Sequence, residues 1–398
     1  MPTTKGVHPD LISALLWVLA LATALSGGET TTQLQTERIH KLQSLLAKTV
    51  AADPTIPGVI AHVRMPGLDL TWSGAAGLVA FDSDTPLTPR HPVRLASNTK
   101  PYVAAAILRL WEDGRIDLTS TLRDHLSLEY LQLLANDGYD PAAITLNHLL
   151  SHTAGLFDYA TSQLYTQQVL DNPRRGWSRL DQVRGAVAWG NPIGAPGAAF
   201  HYADTGYILL GQILEQQTGR HLGAALRRLI DYRRLGLEHT WLETLEPPPP
   251  DIPERTHQYY GDIDIHSFDP SFDLYGGGGL VATMEDLAIF MRALGTGTVF
   301  KKATTLNTML DLNAPADSGL KRLPNTYRLG ISISQIGADQ AYTHEGFWGT
   351  AAAYLPALDA AIAISLNQGR TDRRWPLMES IVETLGQAAK SANLNTTH

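Results

Sequence analysis

Ser97 and Lys100 stand three residues apart at the head of an apolar stretch that runs from Pro101 through Val103 to Trp111 and breaks at Asp113-Gly114. On a helix that spacing sets a hydroxyl and an ammonium on one face about a turn apart, a nucleophile with a charge beside it. A helix N-terminus also carries unpaired N–H groups and the positive end of the dipole, so an oxyanion forming at Ser97 would meet stabilisation already in place. Pro101 fits, because its missing N–H falls in the first turn. A second Ser-x-x-Lys, Ser318 to Lys321, lies in a polar, turn-like run with no apolar helix after it and reads as a surface loop.

A serine hydroxyl is a poor nucleophile at neutral pH and needs a base within hydrogen-bond reach. Tyr202 lies in Pro196 to Gly211, a run that joins a turn to a helix, where a loop can present a phenol to a cleft. Its pKa, near 10 when unperturbed, is expected to be pulled down by Lys100, so that the two share the task of taking the Ser97 proton. Asp204 is expected to pair with Lys100 and hold it charged. The run Thr343 to Gly349 supplies His344, Gly346, Phe347 and Trp348, its glycines letting a substrate approach a strand closely and its Trp348 lining the cleft.

The rest of the chain must position these groups. With 398 residues, 44% of them apolar, it can bury a sizeable core. A net charge of −8 and the lack of a long basic run argue against nucleic acid or an anionic membrane surface as partner. There is no cysteine, which excludes disulfides, thiolate metal sites and a cysteine nucleophile. His148 and His152 lie four apart, but no glutamate follows His148 as the zincin pattern requires, so no metal is expected. No glycine-rich phosphate loop follows a strand, and no cofactor is expected. The apolar run Leu11 to Leu25, with Ala22-Thr23-Ala24 before Ser26, reads as a secretory signal within residues 1–28. Export to the periplasm or beyond is the expectation, and an uncleaved anchor is the one membrane association left open.

Helical spacing of Ile39, Leu42, Leu46 and Val50 predicts an opening helix over 37–50, followed by a hairpin of Val59–Val63 and Leu68–Ser73 around Pro66-Gly67. Further helices are expected over 145–152, 206–217 ending at Gly219, and 283–294 behind the Thr283-x-x-Asp286 start signal. Strand patterns return at 329–336, 344–355 and 360–366, and a last helix spans about 375–389. One domain over 29–398 is expected. Its sheet would come from about 29–100 and 296–398 and its helical lobe from about 101–295, with the site in the crevice between them.

The three elements Ser97-Lys100, Tyr202-Asp204 and His344-Gly346, in that order, resemble those of the serine β-lactamase and penicillin-binding protein superfamily. The resemblance is to the branch of class C β-lactamases, D-alanyl-D-alanine carboxypeptidases, esterases and D-aminopeptidases. Glu112 to Leu118, Leu149 to Leu156, Phe200 to Gly211, and Gly277 to Leu280 with Glu285-Asp286-Leu287 resemble further landmarks of that family. The resemblance implies an α/β fold of β-lactamase/transpeptidase type, an antiparallel sheet flanked by helices plus a mainly helical lobe. It implies a serine hydrolase that works through an acyl-enzyme on an ester or amide of a small molecule or peptide, with the backbone N–H groups of Ser97 and Phe347 as oxyanion hole. Carboxypeptidase or β-lactamase activity is the alternative, and a non-catalytic sensor or scaffold is the alternative of another class. Two residues depart from the family pattern: Asp204 stands where asparagine is commoner, and Glu345 where a small hydroxyl residue is common. An ionised aspartate can only accept hydrogen bonds. A Glu345 facing the cleft would repel substrates with a carboxylate and favour small esters or amides without one; its direction is left open.

Overall fold

Two segments far apart in the chain build one sheet. The computed structural model describes residues 33–310 and 327–396, so the N-terminal apolar run and the Ser318 copy of the motif lie outside the described residues. Strands β1 (Gly58–Met65) and β2 (Leu70–Gly77) come from the front of the chain. Strands β3 (Ser332–Ile336), β4 (Asp339–Gly346), β5 (Thr350–Leu355) and β6 (Ala360–Ser365) come from the back. Their order is β2-β1-β6-β5-β4-β3, with every pairing antiparallel. The expected hairpin is β1–β2, turned by a 3₁₀ step at Pro66–Leu68 that ends on left-handed Asp69.

β5 and β6 are buried along their whole length, which is why they read as continuous apolar runs rather than as alternating ones. Helices cover both faces: α1 (33–52), α2 (Lys100–Glu112), α3 (Gln163–Asp171), α4 (Asp204–Thr218), α5 (Met284–Gly295) and α6 (Arg374–Thr396) are those used below. Leu42 and Leu46 of α1 and Ile381 and Leu385 of α6 pack on Val59, Ala61, Val63, Ile362 and Ile364. The alternate residues of the same strands, Ile60, Ala361 and Ala363, face the second core, with Phe290 and Met291 of α5 and most of α2. Alanines at 351, 352, 353, 361 and 363 let these helices sit close.

Two expectations change. The stretch 344–355 is a hairpin rather than one strand, because left-handed Gly349 (φ 95°) reverses the chain after Phe347-Trp348. The α5 segment, which falls in the stretch expected to be the helical lobe, packs on β1, β5 and β6. Its buried face carries Leu287, Phe290, Met291 and Leu294, which fit the sheet. The helical lobe itself holds α3 and α4, and α4 ends at left-handed Gly219. Helix α2 is buried from Lys100 through Leu108 and lies against α4, so it joins the lobe to the sheet.

Candidate active site

Ser97 sits two residues before the residue that caps the helix, Thr99. A short strand, Val93–Arg94, feeds a 3₁₀ turn of Ala96–Thr99, and α2 begins only at Lys100. Ala96 adopts φ 47°, a left-handed conformation that costs a non-glycine residue on the order of 1–2 kcal/mol. Bonds on both sides hold it there: Leu95 N–H donates to Leu280 O (2.8 Å), and Thr350 Oγ1 donates to Leu95 O (3.0 Å). Buried Asn98 joins the turn to β4 and β5. With its amide oriented to suit β4, its nitrogen donates to His344 O (3.0 Å) while its oxygen accepts from Gly346 N–H (3.2 Å). Gly346 is required for this contact, since a Cβ there would lie 2.1 Å from Leu95 O.

Lys100 is fully buried; its ammonium donates to Ser97 Oγ (2.8 Å) and Gly277 O (2.7 Å) and forms an ion pair with the Asp204 carboxylate (Oδ1 at 2.5 Å). Burial works against its charge, but Asp204 and Tyr202 outweigh that and raise its pKa. It is a fixed ammonium. Tyr202 completes the cluster, its ring centre 4.9 Å from Lys100 Nζ and its phenol near enough to Lys100 and Ser97 for both to favour its ionised form. The expected lowering of its pKa does not occur. Burial pushes the phenol up to about 12, Lys100 pulls it back, and the Asp204 carboxylate cancels much of that pull.

His344 borders the same site without touching Lys100. Its Nδ1–H donates to Glu345 O (2.9 Å), and its Nε2 accepts from Tyr327 OH (3.1 Å). Burial, then the nearby Lys100 charge, pushes it down to about 3, so it is neutral. Glu345 is exposed, and its carboxylate turns to the start of α6, where Arg374 Nη1 (3.3 Å) and Trp375 Nε1 (2.9 Å) donate to it. Phe347 is half exposed and stacks on Tyr260 at 5.0 Å. Trp348 is buried and donates from Nε1 to Asp273 Oδ2 (2.7 Å).

Two clefts meet at Ser97, Tyr202 and Phe347. One, of about 300 Å³, is walled by Tyr159, Tyr165, Val169, Leu170, Phe268, Phe272 and Trp348. The other, of about 410 Å³, is walled by Phe200, Tyr327, Ser332, His344, Glu345 and Arg374. Two aspartates in the apolar cleft went unread in the sequence. Asp158 accepts from the backbone N–H of Ala160 and Asp204 (both 3.1 Å), and burial followed by repulsion from Asp204 pushes it up to about 7. Asp273 is likewise pushed up to about 7 by burial and then Asp204. Asp158 follows the Leu149 to Leu156 landmark by two residues, which was its one available signal; Asp273, Tyr327 and Arg374 stand in no motif. His148 caps its own helix, accepting from Thr145 N–H (3.2 Å). Among the described residues no group of three or more metal-ligating side chains occurs, and no helix is long and apolar enough to cross a membrane.

A sheet with helices on both faces, a helical lobe, and a serine–lysine–tyrosine cluster in the crevice between them define the β-lactamase/transpeptidase-like class of fold. The chain belongs to the Beta-lactamase family, whose sequence model matches residues 46–382. Among curated proteins it is similar to Esterase EstB of Burkholderia gladioli, 31% identical over 194 residues, a match that spans 48% of each chain and so about half the length of that relative. Among solved structures it is similar to the D-amino acid amidase of Ochrobactrum anthropi SV3 complexed with D-phenylalanine (TM-score 0.73, 23% identity, 88% of this chain and 99% of that one). The D-stereospecific amidohydrolase of a Streptomyces species is comparable (TM-score 0.70, 24% identity, 86% and 97%).

Proposed function

We propose that the protein is a serine hydrolase that cleaves an ester or amide through an acyl-enzyme on Ser97. The observation that carries this reading is the contact of Lys100 Nζ with Ser97 Oγ at 2.8 Å, in a cluster that Tyr202 completes and that opens on two clefts. Ser97 Oγ attacks the carbonyl carbon. Its proton passes to the Tyr202 oxygen while Tyr202 gives its own proton to the leaving oxygen or nitrogen, so a neutral phenol serves as relay and no free phenolate is needed. The Lys100 ammonium stabilises negative charge gathering on the Ser97 and Tyr202 oxygens, and the N–H groups of Ser97 and Phe347 receive the oxyanion. Water then repeats the sequence in reverse: it attacks the acyl carbon, gives a proton to Tyr202, and Ser97 Oγ recovers one.

The apolar cleft takes the acyl group and the polar cleft the leaving group. Aromatic and aliphatic walls favour an acyl group that carries a ring or a short alkyl chain, each buried methylene contributing about 0.8 kcal/mol. The name of the EstB relative supports an ester, and those of the two structural neighbours an amide. A fluorophosphonate probe tests the reading: it should label the protein, the label should map to the Ser97 peptide, and p-nitrophenyl phenylacetate should be turned over faster than the acetate. A protein that is folded yet neither labelled nor active would be a sensor or scaffold with this fold. Export is proposed from the 11–25 run and is checked by fractionation of expressing cells.

A further inference from the structure

We propose that His152 is a positioning residue that clamps Tyr202 in line with Ser97, an inference that rests on the proton-relay role of Tyr202 proposed above. The residues on either side of Tyr202 both hang on this one histidine. His201 N–H donates to the His152 carbonyl (2.8 Å), and Ala203 N–H donates to His152 Nδ1 (3.1 Å). Between these two bonds the imidazole lies on the Tyr202 ring, 4.1 Å between centroids and tilted by 31°. Backbone before, backbone after and ring face are all held by one residue, the first by its carbonyl and the other two by its imidazole.

A histidine is an unfavourable choice here unless the Nδ1 acceptor is needed. Its backbone is left-handed (φ 56°), a conformation that asparagine tolerates better. Its ring is buried against Tyr202, Tyr207 and Tyr327, and its Nε2 has no hydrogen-bond partner among the described residues. An unpaired buried donor of this kind destabilises, and a phenylalanine would fill the same space without it. Because Nδ1 accepts the Ala203 N–H, the imidazole must be neutral with its proton on Nε2. Burial and the nearby Lys100 charge, followed by His344, favour that same neutral form. His152 therefore neither transfers a proton nor binds a metal; it holds geometry.

Two variants of equal polarity separate this role from plain packing. His152→Asn places an amide oxygen where Nδ1 stands, and its backbone accepts the left-handed conformation. His152→Gln carries its oxygen one atom further, toward the Nε2 position, and leaves Ala203 N–H unbonded. The expected result is that Gln lowers kcat for an activated ester about a hundredfold with KM within about threefold, while Asn retains most of kcat, because a misplacement near 1 Å costs about that much. In the Tyr202→Phe background the Gln substitution should cost nothing further, since the part it positions is gone. Equal kcat for Asn and Gln, or a Gln effect that multiplies with Tyr202→Phe, overturns the clamp. Should Tyr202→Phe itself retain wild-type kcat, the relay reading fails and the clamp with it. Melting temperatures of both variants show whether a loss is of fold or of function.

Discussion

Asp204 Oδ1 stands 2.5 Å from Lys100 Nζ, so the lysine beside the nucleophile is a paired cation rather than a free base. Lys100 is fully buried, and an ammonium without this partner would have to be desolvated unpaired. The same carboxylate raises Tyr202 and, by repulsion, Asp158 and Asp273. One aspartate in the place where asparagine is commoner thus adds, after burial, to the shift of three other groups in the cleft.

Replacing Asp204 by asparagine keeps an acceptor for Lys100 but removes the charge. Asp204 raises the Tyr202 pKa, so its loss lets that pKa fall from about 12 toward the range of an ordinary phenol. In Asp204→Asn the tyrosinate absorbance that is absent from Tyr202→Phe should appear at lower pH than in wild type. The phenolate is the stronger proton acceptor, so kcat/KM on esters should climb with pH through that lowered pKa, where wild type stays flat. Stability should drop by about 1–3 kcal/mol for the weakened pairing. An unmoved tyrosine titration would contradict the assignment.

Ser97→Ala should abolish turnover and probe labelling with little loss of stability. Ser97 makes no capping bond to the helix, and Lys100 keeps Gly277 O and Asp204 as acceptors, so the change should remain under about 1 kcal/mol. Ser318→Ala should leave activity unchanged. Loss of activity in the Ser318 variant, with the Ser97 variant active, would reverse the choice of nucleophile.

The sheet and the cluster were legible because they rest on local signals. Apolar runs at 59–63 and 360–366, turn residues at Pro66-Gly67, and the spacing of Ser97 and Lys100 each bring their own physical reason. What escaped was long-range. Asp273 belongs to the site only because Trp348, 75 residues later, donates to it, and Tyr327 because it reaches His344 across 17 residues. The direction of the Tyr202 pKa is hidden for the same cause: the sequence puts Lys100 beside the phenol but does not show that the phenol is desolvated, which is the larger effect. The hairpin at Gly349 is hard to read because its corner, Gly346-Phe347-Trp348-Gly349, carries no Pro, Asn or Asp, and its glycines read equally well as room for a substrate beside a strand.

Asp273→Asn should stabilise the protein, and more so as pH rises. The folded-state pKa of Asp273 is raised to about 7 by burial and by Asp204, above an unfolded value near 4. The protonated form therefore helps the fold below about pH 4, and that help is lost as pH climbs through 7, where the folded protein must hold an extra buried charge. Asparagine keeps the acceptor for Trp348 without the charge. Melting curves at pH 5 and pH 8 should show an advantage for the variant that grows by on the order of 1–3 kcal/mol. A pH-independent difference would place Asp273 in its ordinary ionised state.

Glu345 should be the residue that turns carboxylate-bearing substrates away. Arg374 is mostly buried at the wall of the polar cleft, and Glu345 engages it at 3.3 Å from the exposed side. With that pair intact the cleft presents no net positive charge there, and His344, neutral with its pKa pushed down to about 3, adds none. Glu345→Thr would leave Arg374 as an uncompensated guanidinium. A carboxylate about 6 Å away gains roughly 3 kcal/mol at an effective dielectric near 20, and solvent at this exposed rim reduces that to about 1–1.5 kcal/mol, or about tenfold in rate. Phenyl acetate and 4-acetoxybenzoate differ only by a carboxylate on the leaving group. The ratio of their kcat/KM values should favour phenyl acetate in wild type and move about tenfold toward 4-acetoxybenzoate in Glu345→Thr, with the gain fading as salt is added. Equal rates on both esters in wild type, unchanged by the substitution, would remove Glu345 from the specificity of the site and return D-alanyl-D-alanine peptides and β-lactams to the substrates worth testing.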